Sequence, residues 1–195
     1  MLETIRQLDR DIFIFLNNHH HEFWDPIMIL ISERFFWFPA YLALIIYLIY
    51  TFRRRGLAKL VMALLAVGAA DLISSKLFKP NFARLRPCHD PDLSEVINIV
   101  SGCGGQFGFI SSHAATTFAL ASFMYLVLPP QYKWFKISLI VWAALISYSR
   151  IYLGVHYPGD VLAGALLGVV CGVVFEKFYQ HVLRRYDFFK PDPNS

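Results

Sequence analysis

Three stretches of this 195-residue chain hold the side chains best suited to chemistry. KPNFARLRP, residues 79–87, supplies Lys79 and Arg86. FISSHAA, 109–115, supplies Ser111, Ser112 and His113. SRIYLGVHYPGD, 149–160, supplies Arg150, His156 and Asp160. An arginine fork binds two oxygens of a phosphate at once, and an ammonium adds a point charge. Lys79, Arg86 and Arg150 together therefore suit a phosphate ester. Taken singly, each reads equally well as a lipid-headgroup anchor. His156 and Asp160 lie four residues apart across Pro158–Gly159, a pair that suits the turn into a helix. A carboxylate accepting from one imidazole nitrogen would fix the tautomer and leave the other as a neutral nucleophile. The plainer alternative is an aspartate favoured by a helix dipole, beside an interfacial histidine. His113 follows two serines at a helix start, where hydroxyls and free N–H groups make an anion site. It is placed to give a proton to a leaving oxygen. Simple capping by Ser111 or Ser112 is the alternative there.

These stretches are distant in sequence and need a scaffold that gathers them. Hydrophobic residues make up 56% of the chain and charged residues 16%, richer in the first and poorer in the second than a soluble domain. The apolar residues cluster into five candidate spans: 35–52, 57–78, 113–129, 134–151 and 158–178. Such lengths cross, or nearly cross, a hydrocarbon core of about 30 Å. The expected fold is all-α, a polytopic transmembrane helical bundle of five spans. Residues 1–34, amphipathic and broken by NNHHHEFWDP, read as interfacial helices, which leaves 35–195 as the membrane domain. The opening MLETIRQLDRDIFIF mixes charge through its apolar stretch and lacks the cleavage site of a secretory leader.

The formal net charge is +4, and its distribution matters more than its size. Arg53, Arg54, Arg55 and Lys59 follow the first span. Lys133 and Lys136 precede the fourth, and Lys177, Arg184, Arg185 and Lys190 close the fifth. With five spans all three clusters share one face, which the positive-inside rule makes cytoplasmic. Basic residues confined to span ends do not form a nucleic-acid surface. The loop 79–112 and the 149–160 stretch then share the extracytoplasmic face. Lys79, Arg84, Arg86 and Arg150 lie there against the rule, and a function would explain them.

Other residues invite a role. Asp71 sits within the second span, where a charge is expensive. Asp71, Ser75 and Lys79 recur at helical spacing, so Asp71 is expected to position Lys79, with a pair to Lys76 or a water-filled crevice as the alternatives. His19, His20 and His21 are adjacent rather than spaced for a metal, and no metal or other cofactor is expected. Gly164, Gly168 and Gly172 define a face for close helix packing. Cys88 and Cys103 share the long outer loop, and an oxidising compartment favours a disulfide between them.

The three stretches resemble the signatures of the type 2 phosphatidic acid phosphatase (PAP2) family, which also contains vanadium haloperoxidases. That pattern is K-x6-R-P, then P-S-G-H, then S-R-x5-H-x3-D. Lys79, Arg86 and Pro87 match the first; Ser149, Arg150, His156 and Asp160 match the third. In the second, ISSH stands for P-S-G-H, with Ile110 for proline and Ser112 for glycine. The resemblance implies a metal-independent lipid phosphate phosphatase in which His156 attacks phosphorus, Asp160 orients it and His113 protonates the leaving group. Lys79, Arg86, Arg150, Ser111 and Ser112 would hold the phosphoryl oxygens. A small enzyme facing outward suits a polyprenyl diphosphate such as undecaprenyl diphosphate, in a bacterial inner membrane. Phosphatidylglycerophosphate, phosphatidate or lipid A are alternative substrates. A non-catalytic lipid-binding or transport protein is the alternative of another class.

Overall fold

The computed structural model describes residues 2–185; Lys190 lies outside them. Seven α-helices carry the fold: α1 (Leu2–Asn17), α2 (Asp25–Ser32), α3 (Phe38–Leu72), α4 (Lys79–Phe82), α5 (Ser112–Val127), α6 (Lys133–Tyr152) and α7 (Pro158–Arg185). Three helical stretches are long and apolar enough to cross a membrane: Phe35–Phe82, Pro130–Tyr152 and Pro158–Arg185. The first contains both of the spans expected over 35–78. Its backbone leaves the helical region at Arg53, with φ 50° and ψ −125°, and α3 folds back there into two arms. A side chain at Gly56 would run into the Leu48 carbonyl. Farther along the arms, Leu44 and Tyr41 line one cavity with Ala63 and Val67. The arginines at 53–55 therefore occupy the tip of a helical hairpin.

The third expected span, 113–129, appears as α5, and its 16 residues cover only about 24 Å at 1.5 Å per residue. Its apolar character reflects burial within the bundle: Ala114, Ala115, Ala119, Ala121 and Phe123 are all fully enclosed. The glycine face of α7 explains how closely the two helices approach. A Cβ at Gly164 would strike the Ser111 carbonyl, at Gly168 the Ala115 carbonyl, and at Gly172 the Ser122 hydroxyl. The basic end of the bundle closes around Leu48, Ala58, Phe123, Leu128 and Tyr179, with Tyr132 edge-on to Phe52 at 6.1 Å. At the opposite end Phe13, Leu93, Ala114, Ile151, Tyr157 and Val161 form a second core.

The N-terminal segment takes part in that second core. Phe13 and Asn17 of α1 are completely buried. The Asn17 amide donates to the carbonyls of Asn98 (3.0 Å) and Tyr152 (2.9 Å) and accepts from the Asn98 N–H (2.7 Å). The other face of α1 exposes Ile5, Leu8, Ile12 and Phe15, an apolar strip suited to a membrane interface. The adjacent histidines have separate partners: His19 meets the Phe15 carbonyl, His20 lies 3.7 Å from Asp25, and His21 accepts from the Phe23 N–H. Within the long loop, Cys88 and Cys103 are joined in a disulfide, their Cα atoms 6.0 Å apart.

Candidate active site

The end of the bundle away from the hairpin tip gathers all three chemistry-bearing stretches. The 149–160 stretch is shaped by its own backbone. Two N–H groups, of Val155 and His156, donate to the Arg150 carbonyl at 3.1 and 3.2 Å. This return needs the left-handed conformation of Gly154, φ +77°, which glycine adopts without a Cβ clash. A side chain there would also meet the Asn98 carbonyl. Asp160, in the first turn of α7, faces back toward the loop. Its Oδ2 lies 3.4 Å from His156 Nδ1 and accepts from the Tyr157 N–H at 3.1 Å. His156 is 1% exposed and Asp160 0%. With Nδ1 turned to the carboxylate, Nε2 is the nitrogen left for other chemistry. Burial, and then the charges of Arg86, Arg150, Lys79 and Arg84, hold the His156 imidazole well below its ordinary pKa of 6.5. At neutral pH it is uncharged, as a nucleophile must be.

The other two stretches converge on this pair. Arg86 is pinned by an isolated two-stranded bridge: its N–H donates to Gln106 O at 3.1 Å, while Gly108 N–H donates to Arg84 O at 2.9 Å. Arg86 is nearly buried, and its Nε reaches the Phe107 carbonyl at 3.3 Å. Ser111 caps α5, accepting from the Ala114 N–H at 3.4 Å, and its own N–H donates to the Asp160 carbonyl at 2.9 Å. Lys79 donates to the Ser112 hydroxyl at 3.0 Å, and Ser74 lies 2.8 Å from the same oxygen. Arg150 reaches Ser32 through one guanidinium nitrogen, and its buried Nε has no hydrogen-bond partner. His113 and Arg150 border one cavity of about 380 Å3. Among the described residues, Cys88, His89 and Cys103 form the one group spaced to hold a metal, and two of these are already bonded to each other.

Asp71 interacts with Lys79 through charge alone, and it borders a crevice, as the alternative reading had it. It makes no hydrogen bond or ion pair with Lys79; it lines a cavity with Ser112 and His113, and its carbonyl accepts from Ser74. The cause is local. Residues Ile73–Phe78 form a π-helical segment, whose wider turns break the four-residue register on which the Asp71–Ser75–Lys79 face depended. Ser74, fully buried, takes the inward position expected of Ser75.

Further participants have no motif of their own. Arg84 donates to Asp160 Oδ1 at 2.9 Å and to Asp9 Oδ2 at 2.7 Å, and its guanidinium lies 4.0 Å from the centre of the Tyr157 ring. Asp9 also accepts from the Gly159 N–H at 2.7 Å. Gly108 lies against the pair itself: a Cβ there would come within 3.1 Å of Arg86 and Asp160 and 3.5 Å of His156 Nδ1. The signal for Arg84 was a charge that the positive-inside count did not accommodate; Asp9 and Gly108 gave none.

Buried histidine and carboxylate, surrounding cations and an apolar helical frame define a membrane-embedded phosphatase, and residues 56–184 match the model of the PAP2 superfamily. The chain belongs to that family: it is a PAP2 membrane lipid phosphatase, a phosphoric ester hydrolase. It is 35% identical to the lipid A 4'-phosphatase of Bacteroides thetaiotaomicron over 100% of this chain and 87% of that one. Identity is 30% to the undecaprenyl-diphosphatase BcrC of Bacillus subtilis, over 83% of this chain and 78% of the other. Among solved structures, Aquifex aeolicus LpxE superposes with a TM-score of 0.66 at 27% identity, covering 87% of this chain and 95% of that one.

Proposed function

We propose that this chain removes a phosphate from a glycolipid of the lipid A type, through a phosphohistidine on His156, at the extracytoplasmic face of a bacterial inner membrane. The observation that carries the chemistry is the buried His156–Asp160 pair, with Nδ1 turned to the carboxylate and Arg86 and Arg150 nearby. In the first step Nε2 attacks phosphorus while the bond to the lipid oxygen breaks, and His113 gives that oxygen its proton. Lys79, Arg86, Arg150 and the start of α5 hold the phosphoryl oxygens. In the second step a water attacks phosphorus, His113 takes its proton, and the P–N bond breaks to release phosphate. Asp160 keeps the imidazole in one tautomer throughout. Ser112, which stands where the family has glycine, is held by Lys79 and Ser74, so its hydroxyl becomes part of the cationic wall.

The substrate class rests on the relatives. The lipid A 4'-phosphatases of Bacteroides thetaiotaomicron and Porphyromonas gingivalis align at 35% identity over nearly the whole chain. The polyprenyl diphosphate favoured from topology has weaker support, at 30% and 27%, and is the second reading. The membrane arrangement follows the charges. The two arms of α3, then α5, α6 and α7, make five crossings, with the hairpin tip cytoplasmic. The Cys88–Cys103 disulfide suits an oxidising outer compartment. Phosphate release from detergent-solubilised protein, measured on a panel of lipids with and without a chelator, tests the reading. Release from the phosphoglycolipid that survives chelation is expected. Release from polyprenyl diphosphate alone would replace the first substrate by the second.

A further inference from the structure

Two cavities meet at His113. The polar one, of about 380 Å3, is bordered by Ser32, Glu33, Arg34, Ser101 and Arg150. The other, of about 390 Å3, passes Arg34, Trp37, Asp71 and Ile146 toward the apolar interior. Arg34 borders both. It comes from the connection after α2, outside the three stretches that resemble the family signatures.

The cations of this region have unequal commitments. Arg84 is taken by Asp9 and Asp160. Lys79, Arg86 and Arg150 serve the transferred phosphoryl group, which carries about two negative charges as a monoester. Arg34 shares the polar cavity with Arg150, and no carboxylate lies within ion-pair distance of it among the described residues. The unpartnered Arg150 Nε belongs to the side chain on the same wall. A cation left without a counter-charge beside a phosphate site is a place for an anion that the protein does not supply. Glu33 and the two serines add groups that pair with hydroxyls, so the lining has the chemistry of a phosphorylated sugar.

We propose that the polar cavity takes the part of the lipid headgroup that is not transferred, and that Arg34 binds a second phosphate on it. This rests on the lipid phosphatase reading above and narrows it to substrates with two phosphates. Two sources carry that chemistry: a glycolipid phosphorylated on two sugars, and a polyprenyl diphosphate. The test compares kcat/KM for each lipid with that for its counterpart lacking the second phosphate, in the full chain and in Arg34→Gln and Arg34→Lys. The preference for the second phosphate is expected to fall roughly tenfold in Arg34→Gln, the loss of one charged hydrogen-bonded contact, and to return in part in Arg34→Lys. A fall confined to the glycolipid pair, or to the diphosphate pair, supports the proposal and identifies the source. A preference unchanged for both pairs overturns it, with the phosphatase reading intact. A wild-type protein that hydrolyses none of the four lipids and traps no phosphoenzyme overturns both.

Discussion

Asp9 and Asp160, from opposite ends of the chain, share one guanidinium: Arg84 donates to the first at 2.7 Å and to the second at 2.9 Å. Asp160 thus has one oxygen toward His156 and the other toward Arg84. Asp9 in turn holds the Gly159 N–H, so α1 braces the turn from which Asp160 projects. The N-terminal helix is part of the site's framework and also carries an exposed apolar strip.

Asp9→Ala is therefore expected to act on turnover. A displacement of the His156–Asp160 pair on the order of 1 Å costs about 10²-fold in kcat, with KM little altered because Asp9 does not touch substrate. Asp9→Asn, which still accepts from Gly159, should recover part of the rate. Steady-state kinetics on the purified variants decide it. Equal losses in kcat for Asn and Ala, with a matching fall in thermal stability, would reduce Asp9 to a structural residue.

His156→Ala is expected to abolish turnover together with any acid-labile phosphoenzyme trapped from labelled substrate. Asp160→Asn should retain the fold and lose on the order of 10⁴ in kcat, as when an amide replaces the carboxylate behind a catalytic histidine. His113→Ala should be harmed less on a nitrophenyl phosphate, whose leaving group needs no proton. Phosphoenzyme persisting in His156→Ala would move the nucleophile elsewhere.

Vanadate, which adopts the geometry of the transferring phosphoryl group, is expected to inhibit competitively. Arg86→Lys should weaken that inhibition by about tenfold or more, because a point charge replaces a planar fork. Inhibition constants measured side by side give the answer. Unchanged sensitivity would remove Arg86 from the oxyanion wall.

The acid limb of the pH profile follows from His156. Its folded-state pKa lies below 6.5, so the neutral, nucleophilic form persists as pH falls through 6.5 and is lost only below. The kcat/KM profile on a nitrophenyl phosphate, whose leaving group needs no proton from His113, should stay flat through 6.5 once corrected for the substrate's own ionisation near about pH 6. A break at or above that value would contradict a depressed imidazole.

The groups proposed to act on phosphate were legible because their types are rare in an apolar chain and their spacing follows local turns. Lys79, Arg86, Arg150, His113, His156 and Asp160 needed only the order of the helices to bring them to one end. What escaped depended on geometry that has no local pattern. Asp9 sits on an amphipathic helix like any surface acid, and its partners, Arg84 and the Gly159 N–H, are distant in sequence. Asp71, Ser75 and Lys79 followed a correct α-helical rule that the π-helical segment at 73–78 set aside. The spans at 35–52 and 57–78 were placed by hydropathy, yet the reversal between them rests on one residue, Arg53, with no proline and a single glycine close by. The 113–129 span matches α5 in position and length, but its enclosure by protein was not legible, because burial within protein and burial in lipid favour the same side chains.

Cys88→Ser is expected to lower stability by about 3 kcal/mol in the chain-entropy account, for a bridge closing a loop of 15 residues. Because Arg86 lies two residues before Cys88, the kcat of the folded variant should fall as well. Thermal unfolding and phosphate release, with and without reductant, test both expectations. A reductant-insensitive wild type would separate the bond from the site.

The bridge from Asp9 through Arg84 to Asp160 also bears on how the enzyme comes into being at the ribosome. Asp9 is made early and Asp160 late, with Arg84 between them. A nascent chain that has grown only as far as Arg84, just past α4, holds two of the three charges and none of the histidine–carboxylate pair. The third charge arrives only when α6 and the start of α7 have been made. Biosynthetic order therefore acts as a safety catch: a chain that stops short of His156 and Asp160 lacks the pair and is expected to be inert toward the lipids around it.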